Sequence, residues 1–126
     1  MASVLLVTNT TTQAVAANGQ VNLGSTTHKS CQSQAVQNGN AIYINGTGYF
    51  NVEVNASLTG SSGDASIQLY ADGVAIPSAY AVETIGTAST EFHTLSFSME
   101  VLKRCNCSSI MALTLVNTGV AANIAN

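Results

Sequence analysis

The stretch from Gly46 to Asp72, GTGYFNVEVNASLTGSSGDASIQLYAD, constrains the fold more than any other part of the chain. Phe50, Val52, Val54, Ala56 and Leu58 alternate with Tyr49, Asn51, Glu53, Asn55 and Ser57. Beyond GSSGD, Ala65, Ile67, Leu69 and Ala71 alternate with Ser66, Gln68, Tyr70 and Asp72. A strand turns successive side chains to opposite faces, so each run offers one apolar and one polar face. Gly60, Ser61, Ser62 and Gly63 supply a reversal. The two runs therefore read as a β-hairpin with a loop of four to five residues.

The rest of the chain reads the same way. SVLLVT (3–8) is a short apolar strand. Asn18-Gly19 suits a two-residue turn that joins AVAA to QVNL as a small hairpin. GSTTHKSCQSQ (24–34) reads as loop, and Asn38-Gly39-Asn40 as a turn before the strand AIYIN (41–45). Asp72-Gly73 is a further turn, after which Val74 to Ile76 starts a strand that Pro77 ends or marks as an edge. SAYAVETI (78–85) is another strand, followed by a turn over 86–90. In TEFHTLSFSMEVLK (90–103), His93, Leu95, Phe97, Met99 and Val101 share the apolar face. A loop carries CNC (105–107), and the nearly all-apolar IMALTLV (110–116) suits a central strand covered on both faces. Residues 117–119 turn the chain into a weak last strand over 120–126. No segment carries a capped 3.6-residue stripe. The expected fold is all-β, one domain spanning residues 1–126, built as a two-sheet antiparallel jelly-roll sandwich.

Charged residues make up only 7% of the chain, against roughly a quarter in ordinary soluble domains. Thr, Ser, Asn and Gln supply the polar surface instead. Such a surface is expected to be buried in part against copies of itself, because interface cores are depleted of charge. Three Lys and Arg residues with a net charge of −3 give no field for steering nucleic acid, so no nucleic-acid partner is expected. The apolar runs are too short for a helical membrane span, and VLLV has neither the length nor the basic flank of a secretion signal.

GTGYFNVEVNASLT, SIQLYADGVAIPSAYA, TEFHTLSFSMEVLK and SSIMALTLVNTG together resemble the tumour-necrosis-factor-like jelly roll, which includes the complement globular heads. The resemblance covers about residues 40–120 and rests on strands and turns, with no catalytic signature. The N-terminal SVLLVTNTTTQAVAANGQVNLG is similar to small phage or prophage-associated proteins with that jelly roll. The resemblance implies a homotrimer formed through the inner sheet. It implies a non-enzymatic virion protein, made in the bacterial cytoplasm, that decorates a phage head or forms part of a head fibre. The alternative it leaves is a fibre tip that binds a receptor or a carbohydrate. In one respect the chain departs from these relatives, which finish on a longer apolar strand than VAANIAN. Either the last strand is short, or a neighbour completes that sheet edge.

Candidate residues follow. Tyr43, Tyr49, Asn51, Glu53 and Asn55 are expected at the trimer interface. Val4, Leu5, Leu6 and Val7, within an attachment segment over residues 1–23, are expected to add a strand to the major capsid protein or another virion protein. The competing reading makes SVLLVT the first strand of this domain's own sheet. A host-surface glycan is the partner under the alternative function. Four tyrosines, at 43, 49, 70 and 80, suit an interface better than ligand stacking. Asp64 and Asp72 read as turn formers rather than calcium ligands, and His93 as a half-buried strand residue rather than a catalytic base. Glu53 and Glu83 do not form a recognisable glycosidase pair. His28, Cys31, Cys105 and Cys107 are the one metal-like set, yet Cys-x-Cys with no matching second pair favours plain loop thiols. No metal, cofactor or catalytic residue is expected.

Overall fold

The structure is a computed structural model, and it describes residues 4–30, 34–46, 48–60, 62–86, 93–103 and 111–124. In chain order the strands are β1 (Leu5–Thr8), β2 (Gln13–Val15), β3 (Ser25–Lys29), β4 (Ala35–Asn38), β5 (Ala41–Ile44), β6 (Gly48–Gly60), β7 (Gly63–Ala71), β8 (Val74–Ile85), β9 (His93–Lys103), β10 (Met111–Asn117) and β11 (Ala122–Ile124). The described residues contain no helix. A four-stranded sheet runs β2-β11-β6-β9 and a five-stranded sheet runs β4-β5-β10-β7-β8, while β1 and β3 pair apart as a two-stranded sheet. Every pairing is antiparallel.

The two larger sheets form a sandwich closed by the faces that the alternation assigned to the core. Leu58 of β6, Ile67 of β7, Leu95 of β9 and Ile124 of β11 meet in one cluster with Val15, Val21 and Ile85. Ile44, Leu69, Val101 and Leu113 form a second cluster, against which Phe50, Val52, Phe97 and Met99 pack while half-buried. Burying one such aliphatic side chain contributes about 1.5–3 kcal/mol, so these two clusters dominate the stability. Of the expected core, Ile67, Leu69, Leu95 and Leu113 are buried, whereas Phe50, Val52, Val54, Phe97, Met99 and Leu115 keep part of their surface.

The run from Gly46 to Asp72 is not a hairpin. β6 pairs with β9 and β11, whereas β7 pairs with β10 and β8. The turn near Gly60 and Gly63 is an arch that carries the chain from one sheet to the other. A hairpin would lay the two apolar faces side by side. The arch sets them face to face, and that closes the core.

The chain turns one residue earlier than expected, over Ala17 and Asn18, with Gly19 N–H donating to the Ala16 carbonyl at 2.9 Å, and this turn too joins no hairpin. β2 pairs with β11, and beyond the turn Val21 N–H donates to the Leu115 carbonyl of the other sheet at 2.9 Å. The stretch read as loop over 24–34 contains β3. All five of its side chains are exposed, so it carries no apolar period; it pairs with β1 through its backbone ladder, to which Thr27 Oγ1 adds a bond to the Leu6 carbonyl at 3.3 Å. β4 was not expected as a strand either; it forms a hairpin with β5 across Gly39 and Asn40. Asp72 and Gly73 make the β7–β8 turn with φ of +52° and +81°, the paired left-handed geometry that matches strand twist in two-residue hairpins. Val74 to Ile85 is one strand, not two. Pro77 sits on it at the sheet edge, where the register shifts opposite Gln68 and Tyr70, so its missing N–H breaks no inner ladder. β10 is central in its sheet, as its apolar run requires, and β11, though short, is flanked by β2 and β6. Of the expected turn over 86–90, residues 87–90 lie outside the described residues, as does the CNC loop.

Candidate functional site

Among the described residues three surfaces are candidates for recognition. On the four-stranded sheet, Tyr49, Asn51, Glu53 and Asn55 all point outward and are exposed, Tyr49 by 70%. Across the β6–β9 ladder they stand opposite Leu102, Glu100, Ser98 and Ser96. Glu53 and Glu100 are diagonal neighbours, so this face is anionic and polar, with one aromatic–aliphatic pair at its end.

Tyr43 does not join them. It lies on β5 between Ile42 and Ile44, which pack into the core, so its ring turns to the outside of the five-stranded sheet. The five residues expected at one interface thus divide between opposite faces of the sandwich.

The outer face of the five-stranded sheet has a different chemistry. Tyr43, Tyr70 and Tyr80 lie on it with Val36, Val82 and Val116. Tyr80 is 50% and Val82 46% exposed. At the outward positions of these strands only Asp64 is charged, and Thr84 Oγ1 donates to its carboxylate at 3.0 Å. Asp72 is likewise engaged in its turn, accepting from Ala112 N–H at 2.9 Å. Both aspartates therefore do the work of turns and strand ends.

The third surface is an open edge. β9 pairs with β6 from Gly48 to Leu58, but β11 meets only Leu58, Thr59 and Gly60 on the other side. Beside the unmatched part of β6 lies a cavity of about 560 Å³. Consecutive residues of β6, Phe50 through Ser57, line one wall, and Leu5 through Asn9 line another. Ile42, Ile44, Leu69, Leu113 and Leu115 of the opposite sheet also line it. A strand presents consecutive residues to a cavity only where its backbone edge, and not just one face, borders it.

β1, with Val4 just before it, holds the residues expected to attach. Val4 and Leu6 are 45% and 52% exposed, and Leu5 and Val7 are half-buried. Its strand partner is β3. Val15 and Val21 belong to the main core, so residues 13–23 serve the domain itself.

His93 Nδ1 lies 3.6 Å from Glu83 Oε1 at the border of the two sheets, and Glu53 sits in the opposite sheet from Glu83. His28 is exposed on β3; Cys31, Cys105 and Cys107 lie outside the described residues. Among the described residues no three His, Cys, Asp or Glu side chains gather. Lys103 is buried, which removes half of the Lys103-Arg104 basic pair from the surface.

Sequence reasoning missed Asn117. It is 2% exposed, and its amide donates to the carbonyls of Val120 at 2.9 Å and Val15 at 3.2 Å. Its Oδ1 accepts from Gly119 N–H at 3.0 Å. The signal was an asparagine that closes an otherwise apolar run.

No protein-family model matches the chain, and no curated protein matches it.

Proposed function

We propose that the chain is a jelly roll that assembles as a homotrimer and serves as a non-enzymatic structural protein of a virion, decorating a phage head or forming part of a head fibre. The strand order supports the jelly roll: β5, β6 and β7 alternate between the sheets, as do β9, β10 and β11. The observation that carries the assembly is the outer face of the five-stranded sheet, where three of the four tyrosines gather with valines and a single charge. Tyrosine offers an apolar body and a hydrogen-bonding tip, and copies of this face meet with almost no charge to desolvate. This reading moves the self-association surface from Tyr49, Asn51, Glu53 and Asn55 to the opposite sheet and keeps Tyr43. Val4 and, on β1, Leu5, Leu6 and Val7 remain the segment offered to a capsid protein.

Sedimentation equilibrium at micromolar concentration tests the assembly. The parent is expected at three times 12.9 kDa, and a Tyr80→Glu/Val82→Glu variant at the monomer mass with an unchanged circular dichroism spectrum. A monomeric parent overturns the reading. Electron microscopy of intact particles tests the virion role.

A second reading, a glycan-binding fibre tip, draws on the register. Tyr43, Tyr70 and Tyr80 step diagonally over β5, β7 and β8. Strand geometry spaces them by roughly 8 to 12 Å, a scale on which neutral sugar rings can stack. Saturable glycan binding that is lost in Tyr70→Ala and Tyr80→Ala while the trimer persists would favour it.

A further inference from the structure

We propose that the gap between β1 and β6 is an acceptor slot for a β-strand donated by a different polypeptide. The donor runs antiparallel to β6, in line with β11.

Four observations build the slot. β6 has thirteen residues, yet on the β11 side its ladder stops at Leu58. The register of Ala122 with Gly60 and Ile124 with Leu58 sets the direction in which a further strand would continue down β6. β2 flanks β11 on the side away from β6, and β1 precedes β2 in the chain. The slot is therefore bordered by two strand edges, β1 on one side and β6 on the other, and both line the cavity with consecutive residues. Finally, Val52 and Val54 belong to the inward face of β6 and line the cavity, so they stay only half-buried although Val52 packs against the second core cluster.

These features specify the ligand. Two strand edges that no ladder covers among the described residues offer alternate N–H and C=O groups, which only another extended backbone satisfies along its length. Ile42, Ile44, Leu69, Leu113 and Leu115 ask for aliphatic side chains at every second position of that backbone. Among the described residues Glu53 is the only charged one that lines the slot, so the donor needs little charge. Among the described residues each apolar alternating stretch is already a strand of one of the three sheets, and TASTEF and RCNCSSI lack the pattern. The donor proposed is accordingly a strand of another polypeptide. An inserted strand joins β3-β1 to β6-β9 in one continuous sheet.

The test uses the full chain and a capped eight-residue peptide with valine or isoleucine at alternate positions and threonine between. Calorimetry is expected to show saturable one-to-one binding. Amide exchange is expected to slow at least about tenfold at alternate residues between Phe50 and Ser57, those not bonded to β9. The same peptide N-methylated at alternate residues is expected to bind at least roughly tenfold more weakly, since it keeps the side chains but loses the ladder. Two results overturn the proposal: every amide from Phe50 to Ser57 already protected in the free protein, or equal binding of the N-methylated peptide.

Discussion

Replacing Asn117 with alanine should cost more than any other polar substitution in the chain. Its backbone and side chain tie three places together. Asn117 N–H donates to the Gly19 carbonyl at 2.9 Å, and its own carbonyl accepts from Asn18 N–H at 2.7 Å. The side chain adds the bonds to Val15, Val120 and Gly119, with a longer one to the Ala16 carbonyl at 3.4 Å. Asn117→Ala keeps the backbone bonds and removes all the others. A buried polar group stranded without a partner costs about 1–3 kcal/mol. The Val15 bond is buried and takes that cost in full, whereas the Val120 and Gly119 bonds are part-buried and recover some hydration. The sum is about 3 kcal/mol, which for a domain of this size lowers Tm by roughly 10 °C. Asn117→Asp should cost at least as much, because an ionised carboxylate has no donor and faces carbonyl oxygens. Urea melts of both variants at neutral pH measure this as a lower midpoint at unchanged slope. A loss below about 1 kcal/mol for the alanine variant, or parental stability for the aspartate, would refute the view of Asn117 as the pin of this corner.

Gly119→Ala should destabilise by about 2 kcal/mol or more, since its Cβ would meet the Asp64 carbonyl and lie 2.6 Å from Ser66 N, and backbone cannot yield as a side chain can; near-parental melting would refute the close approach. Leu58→Ala should cost about 3 kcal/mol and Val54→Ala only about 1, because Leu58 is 1% exposed and Val54 borders the slot; equal losses in denaturant melts would mean that the slot is filled. Deleting residues 2–12 removes β1 but leaves Val15 and Val21, so a folded protein that no longer binds particles is expected, and an unfolded one would make β1 part of the core. Changing Cys31, Cys105 and Cys107 together to serine should leave stability and assembly unaltered; stoichiometric metal in the parent, with assembly lost on chelation, would overturn that.

The phase of the long strands was legible because it is written in the side chains. Phe50 to Leu58, Ala65 to Ala71 and His93 to Val101 turn inward as their alternation requires. Partnership was not legible, because it depends on residues far away. An arch and a hairpin share the same glycines and the same period, so Gly60–Gly63 could not announce that it changes sheets. For the same reason Tyr43 and Tyr49 were both expected at the trimer interface with no sign that they belong to different sheets. β3 left no trace at all: a strand that buries no side chain has no apolar pattern to show. Asn117 was readable only as a turn residue, since its value lies in carbonyls that the fold brings to it from up to 102 positions away.

That separation governs how the chain reaches its native state. Val15 cannot settle until Ala122 has been synthesised and placed, because β2 takes its ladder from β11, and Val21 waits in the same way for Leu115. Loop closure over such spans precedes any reward from contact, so folding should run on the millisecond-to-second scale of non-local β topologies rather than in microseconds. On the ribosome, the early segments must stay uncommitted while most of the chain emerges. The Thr, Asn and Gln that flank VLLV then have a use before the fold exists: they keep a waiting apolar segment soluble.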